Sequence, residues 1–194
     1  SRTDKQRTKL YQVENKRELT KKFYKDDLHW LKSLNIKIKI ESLKNFDRAE
    51  ESFQRNNQFN TSFNRFKKSE ILKLNNLKNY LFFQVSMKDK FGDYGIISLI
   101  HIVYEKKSFN ILDFTMSCRV FKRNVENAIL IFLGKQQILK NKAGYINIIR
   151  NDKNKYVQEL FDKSKFLEKI NNKKFKILNK IFNEKYSRYG ISLK

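Results

Sequence analysis

The amino-acid sequence predicts an α/β domain, of the α+β kind, built on a mixed sheet with a helical segment ahead of it. Three observations predict it. Strand-like segments at 80–88, 94–105 and 109–120 follow one another, and the first two are joined by Lys90-Phe91-Gly92-Asp93-Tyr94-Gly95, whose glycines supply the positive φ that a short hairpin turn demands. The third strand runs without Gly or Pro into a basic turn that opens a helix, and a further strand and helix give the order β-β-β-α-β-α. The 194 residues are 40% hydrophobic, with 17 Phe and 9 Tyr, enough to bury one real core, which excludes a chain disordered throughout and argues against a second full domain.

Each element has a local cause. Residues 1–34 read as helix: Leu10, Val13, Arg17 and Leu19 fall at rough helical spacing, and Asp26-Asp27 open a second short helix carrying Leu28, Trp30, Leu31 and Leu34. Strict alternation over 35–40 predicts a half-buried strand, and 47–53 returns to helix. Residues 55–65 are too amide-rich for a core helix and read as a loop anchored by Phe53, Phe59 and Phe63, followed by a helix near 69–77. Beyond the three central strands, 125–140 is helix, Gly144 stops it, 145–149 is strand, and 154–163 is helix with Val157, Leu160 and Phe161 inward. A last strand is placed at 174–178, before a tail rich in Tyr and Lys.

Lys and Arg outnumber Asp and Glu by 43 to 20, a formal charge of +23, which predicts attraction to polyanions or acidic partners, although a genome-wide codon bias toward Lys, Asn and Ile explains part of it. One Cys excludes an intramolecular disulfide and a thiolate-rich zinc site, and two distant histidines, His29 and His101, argue against a histidine metal site, so no metal is expected. Cysteine usage points to a reducing, cytoplasmic setting. No run approaches the ~20 apolar residues of a membrane span, and Ser1-Arg2-Thr3-Asp4 is not an apolar signal region, so no membrane partner is expected. Lacking an initiator Met, the chain reads as an excised piece of something longer.

The strand-to-helix junction is the strongest chemical feature. Arg119, Lys122, Arg123 and Asn124, with the unpaired N–H groups of a helix starting near Asn124 and Val125, suit a phosphate, the alternative being a solvated basic turn. Cys118 reads two ways: a nucleophile whose thiol the adjacent Arg119 and the helix N-terminus acidify, or an inert small residue at the end of an apolar strand. Asn57, Gln58, Asn60 and Thr61 offer amides and a hydroxyl to a polyol or amide substrate, or form a self-satisfied turn. Asp93 is a candidate general base in a position where Asp commonly serves its own backbone, and Glu126 either acts likewise or complements the helix dipole. His29 and His101 read as packed or surface residues.

Asn57-Gln58-Phe59-Asn60, Phe91-Gly92-Asp93-Tyr94-Gly95, Met116-Ser117-Cys118-Arg119-Val120 and the stretch from Lys153-Asn154 to Phe166 stand in one order. In it the chain resembles FkbH-like proteins over roughly residues 1–170. That family couples a haloacid-dehalogenase-type phosphatase domain to a C-terminal domain of the Gcn5-related N-acetyltransferase type. No Asp-x-Asp-x-Thr phosphatase motif occurs, so the resemblance makes 1–45 the helical connector with the first strand and 46–194 the acetyltransferase-like domain.

The resemblance implies a bacterial biosynthetic acyltransferase that moves a small acyl group, glyceryl, hydroxyacyl or acetyl, to or from the phosphopantetheine of an acidic acyl carrier protein or coenzyme A. It further implies the phosphatase domain as partner in the full-length protein, and a pantetheine arm in a splayed sheet beside the strand ending near Ser117, with Asn154 at the same site. Two positions depart from the pattern: Lys122 and Asn124 stand where the basic turn usually has glycine, and Phe161 stands where many acetyltransferases, seven residues after an Asn such as Asn154, place a tyrosine acid. The competing expectations are a non-catalytic docking module for the phosphatase partner, and a basic nucleic-acid-binding protein, against which stands the lack of any helix-turn-helix, zinc-finger or RNP word.

Overall fold

The computed structural model describes residues 17, 19–136 and 138–193. Leu10 and Val13 lie outside these residues. Helix α1 (Asp27–Ser33) begins where Asp26 caps it by accepting from the His29 N–H, and strand β1 (Ile36–Ser42) follows at once. Helices α2 (Phe46–Arg55) and α3 (Lys68–Asn75) come next, then β2 (Tyr80–Asp89), β3 (Gly92–Tyr104) and β4 (Ser108–Met116). Helix α4 (Val125–Lys135), β5 (Ala143–Asn147), α5 (Lys155–Asp162), β6 (Leu167–Asn171), β7 (Lys174–Ile177) and β8 (Ile191–Leu193) complete the chain.

The strands form one eight-stranded sheet in the order β6-β7-β5-β4-β3-β2-β1-β8. The β1-β2-β3-β4 meander is antiparallel, β4 and β5 are parallel, and β8 lies parallel to β1 at the far edge. Alternation along β2 divides the core in two. Phe83 turns to one face and meets Phe132 of α4 edge-on at 5.6 Å, within a large cluster holding Ile100, Ile102, Phe114, Ile129 and Phe161. Phe82 turns to the other face and joins Leu99 under Ala49 and Phe53 of α2 and Ile71 of α3. Trp30, Leu31 and Leu34 belong to the larger cluster, so the N-terminal segment packs on the same core as the sheet.

The structure differs from the sequence reading in the ends of β4 and α4 and in two further strands. β4 stops at Met116, because Ser117 turns its N–H to the Ile97 carbonyl and residues Cys118–Val120 close a 3₁₀ turn. α4 ends at Lys135 rather than continuing to 140, because Gln136 takes an extended conformation, so Gly144 does not stop the helix but lies within β5. The tail, read only as rich in Tyr and Lys, contributes β8, and its turn Asn179–Asn183 packs on α4 at Gly134, where a Cβ would lie 1.9 Å from the Phe182 ring. β6 is also absent from the sequence reading; four of its five residues are exposed, so no apolar alternation marks it.

Candidate active site

β4 and β5 pair only over Ser108↔Ala143 to Ile111↔Ile146, and beyond that the two parallel strands part. The polar loop between α2 and α3 enters the gap. Thr61 donates its N–H to the Phe114 carbonyl (3.2 Å), Met116 donates to the Phe59 carbonyl (3.0 Å), and Ile149, just past β5, donates to the Thr61 carbonyl (2.7 Å). Residues 59–61 thus act as a short antiparallel strand between the splayed ends, with Asn60 opposite Thr115. The splay exists as the resemblance implies, but the β4 edge beside Phe114 and Met116 is occupied by the chain itself.

This explains most of the word Asn57-Gln58-Phe59-Asn60. Phe59 is fully buried, with its ring 4.9 Å from that of Phe114 and within 6.3 Å of those of Phe121, Tyr156 and Phe161. Asn60, also buried, donates to the Asn56 carbonyl and accepts from the Ser62 and Phe63 N–H groups. The Thr61 hydroxyl accepts from the Phe114 N–H at 2.9 Å. Asn57 and Gln58 are exposed, and the Asn57 amide oxygen accepts from Arg65, whose guanidinium also binds carbonyls at the end of α2. Asn154 pins the insert in place: its amide donates to the Asn60 carbonyl (2.9 Å) and the Ile149 carbonyl (2.8 Å), while its oxygen accepts from the Asn151 N–H and the Gln158 amide. Every hydrogen-bonding position of the Asn154 side chain is therefore filled by protein.

The basic turn follows β4. Lys122 (φ 60°) and Asn124 (φ 58°) both adopt left-handed backbone conformations, the two positions where the family pattern has glycine. The backbone thus follows a glycine-like path, and Asn124 leads directly into α4 without a side-chain cap. Lys122 is exposed and its N–H donates to the Tyr156 hydroxyl at 2.9 Å; Tyr156 stacks flat on Phe121 at 3.8 Å. Burial pushes the Tyr156 phenol up to about 12, so it stays protonated at neutral pH.

Arg123 departs from expectation, being buried with its guanidinium over the Tyr94 ring at 5.2 Å, so it ties the turn to the β2–β3 hairpin. Arg17 lies over the other aromatic contacts of that hairpin, Phe91 and Tyr94, and ion-pairs with Asp89 in the interior. The Phe91–Gly95 word is thereby a packing device. Asp93 is exposed at the hairpin tip, accepting from the Gly95 N–H at 2.8 Å and lying 3.4 Å from the Lys88 ammonium.

Glu126, in the first turn of α4, is buried, and burial pushes its carboxyl up to about 7. Cys118 is exposed in the 3₁₀ turn, not packed at a strand end. Beside it Arg119, whose Nε donates to the Ser117 hydroxyl at 3.1 Å, is held below its ordinary pKa by burial, with a further contribution from Arg48. Arg48 and Arg55 of α2 clamp Glu51, and the Arg48 hydrogen bond lowers that carboxyl.

A second group went unread in the sequence. On the face of the sheet that carries α2 and α3, His101 and Asp113 are cross-strand partners, with Nδ1 2.5 Å from the Asp113 carboxylate. Ser62 and Asn64 donate to the other oxygen of Asp113, Asn64 at 2.6 Å. The imidazole stacks on Phe82 at 4.1 Å. A usable signal existed: a histidine and an aspartate in the apolar runs of adjacent strands, brought opposite by the turn at 105–107. Among the described residues no group of three or more His, Cys, Asp and Glu is placed to hold a metal ion, and no helix is long and apolar enough to cross a membrane.

The mixed sheet, its β4–β5 splay and the basic turn opening α4 define a fold of the Gcn5-related N-acetyltransferase type. The spermidine N-acetyltransferase SpeG chimera from Vibrio cholerae and hSSAT superposes with a TM-score of 0.50 at 15% identity, over 76% of this chain and 99% of that one. The ribosomal-protein-S18-alanine N-acetyltransferase from Escherichia coli gives a TM-score of 0.45 at 12% identity, over 72% and 90% of the respective chains. No family model and no curated protein matches the sequence.

Proposed function

We propose that this domain is an acyltransferase that moves a small acyl group between a phosphopantetheine thioester, carried by coenzyme A or an acidic acyl carrier protein, and a second substrate. The observation that carries the reading is the pair of left-handed residues, Lys122 and Asn124, in a turn between a strand and a helix N-terminus. A side chain in that region costs about 1–2 kcal/mol, so a backbone that keeps the path with non-glycine residues is held there by its surroundings. Asn124 and Val125 stand at the N-terminus of α4, where a helix leaves its first N–H groups without intrahelical partners, and the exposed Lys122 adds charge at the same place.

The fit to a pantetheine-bearing donor is good at the turn. Residues Lys122, Asn124 and Val125 would hold its phosphate, and Ser117, Cys118 and Arg119 flank the next stretch of the site. The bound group supplies an acyl carbon activated as a thioester. The arm does not use the β4 edge at Phe114 and Met116, which residues 59–61 cover. Tyr156 anchors the turn, and Cys118, exposed beside Arg119, is available to accept an acyl group or to stand clear of direct transfer.

The four sequence words shared with FkbH-like proteins support a carrier-linked acyl group of the glyceryl or hydroxyacyl kind and a phosphatase domain as partner; the net charge of +23 suits an acidic carrier. A docking module for that partner is the second reading, favoured by the self-filled strand edge. The experiment is calorimetric titration of coenzyme A and of a phosphopantetheinylated carrier protein into the wild type and Lys122→Glu. Loss of about tenfold in affinity in a folded variant supports the site, and unchanged affinity sinks it. Mass spectrometry after incubation with acetyl-coenzyme A separates a Cys118 adduct from direct transfer.

A further inference from the structure

On the sheet face that carries α2 and α3, a cavity of about 960 Å³ lies beside those helices. Its floor crosses five neighbouring strands, with Lys174 on β7, Asn147 on β5, Leu112 on β4, His101 on β3 and Tyr80 on β2. At about 4.8 Å per strand, that floor is roughly 19 Å long. Thr61 and Ser62 contribute one wall, whereas Phe59, two residues earlier, packs near Phe121 and Tyr156 beside the basic turn. Lys122, Asn124 and Val125 do not line the cavity, so it is separate from the proposed donor site.

The two ends of the cavity differ in chemistry. Phe66, Leu74 and Tyr80 make the end over β2 and β3 apolar. The other end is polar and cationic: Asn147 stands opposite Lys174 across β5 and β7, and the adjoining hairpin adds Asn171, Asn172 and Lys173. The Lys174 ammonium lies over the Tyr145 ring at 4.3 Å. Among the described residues neither lysine forms an ion pair, and the Asn147 side chain makes no hydrogen bond. Asp113 is the one acidic residue of the lining, and it is already occupied. It is fully buried, one oxygen taken by His101 Nδ1 and the other by Ser62 and Asn64. His101 itself, 2% exposed and stacked on Phe82, is wall and not reagent. The unmatched charge facing the cavity is therefore positive, and it is confined to one end.

We infer that this cavity is a second ligand site, for a small molecule with one anionic head and an apolar body. Lys173 and Lys174 meet the head, and Asn147 donates its amide to it. The body lies on Leu112 and against Phe66, Leu74 and Tyr80. A lysine ammonium acts as a point charge, so a carboxylate and a phosphate monoester share this recognition. The site uses no group of the turn at Lys122 and stands whether or not the domain transfers acyl groups.

Three probes of one body test it by NMR titration of the methyl-labelled chain: 1-naphthylacetate, 1-naphthyl phosphate and the neutral 1-naphthylacetamide. The methyls of Leu74, Leu112 and Ile149, which line the cavity, should shift saturably, while those of Val125 at the donor turn stay in place. The two anions should bind about tenfold more tightly than the amide, as two partly exposed lysine contacts allow, and the tighter of the two tells carboxylate from phosphate. Lys173→Glu combined with Lys174→Glu should remove that advantage and leave the amide's affinity unchanged. The milder pair Lys173→Gln and Lys174→Gln should act in the same sense without reversing charge in the hairpin. Absence of a saturable shift at the cavity methyls with every probe, shifts confined to Val125, equal affinity for all three probes, or unchanged anion affinity in the folded variants overturns the proposal.

Discussion

Glu126→Gln isolates the most consequential titration in the molecule. Glu126 sits at the first turn of α4, buried, and desolvation raises its carboxyl from 4.5 to about 7, a rise its own backbone N–H only partly offsets. The folded state therefore keeps a proton that the unfolded chain releases between pH 4.5 and about 7, so stability falls as pH rises through that window and is lowest above it. At ~1.36 kcal/mol per pH unit the interval is worth about 3 kcal/mol. Glutamine has the shape of the neutral acid and no proton to lose. The variant should be more stable than wild type by about 3 kcal/mol at pH 8 and by little at pH 4.5, measured by urea denaturation across the range. Taking the difference between the two proteins cancels the contribution of every other titrating group. A difference that stays constant from pH 4.5 to 8 would refute the assignment of a buried, proton-retaining carboxyl. The same carboxylate lies beside the proposed phosphate site, so Glu126→Gln should also tighten coenzyme A binding above pH 7.

Three further outcomes follow from the packing. Phe59→Ala removes a fully buried ring from the insert between β4 and β5 and should cost about 3–5 kcal/mol in chemical denaturation. Lys122→Gly should leave stability within about 1 kcal/mol of wild type, whereas Lys122→Val, a β-branched residue at φ 60°, should cost more than that; equal stability of the two would contradict the left-handed turn. Cys118, exposed, should react fully with an aromatic disulfide reagent in the native state, and Cys118→Ala should change stability by less than about 0.5 kcal/mol while abolishing acyl transfer only if a covalent relay operates.

The sequence determined what depends on neighbours along the chain. Alternation and hairpin chemistry marked β1, β2, β3 and β4, and the unbroken run from Phe114 into Lys122 and Arg123 marked the strand-to-helix junction. Tertiary contact decided the rest. β6 and β8 are short edge strands with too little burial to leave a periodic pattern. Arg123, one more cation in a basic turn by sequence, is buried on Tyr94 because the hairpin folds back over the turn. Cys118, at the end of an apolar run, is exposed because β4 stops at Met116 and Cys118–Val120 close a 3₁₀ turn. Asn57-Gln58-Phe59-Asn60 reads as a ligand-binding loop in one dimension, yet its centre is a strand completed by β4 and by Ile149, 88 residues later (149 − 61), a pairing that no local signal encodes. His101 and Asp113 become a pair only through the register of β3 on β4, since which side chains face each other across a sheet is set by pairing and not by either strand alone.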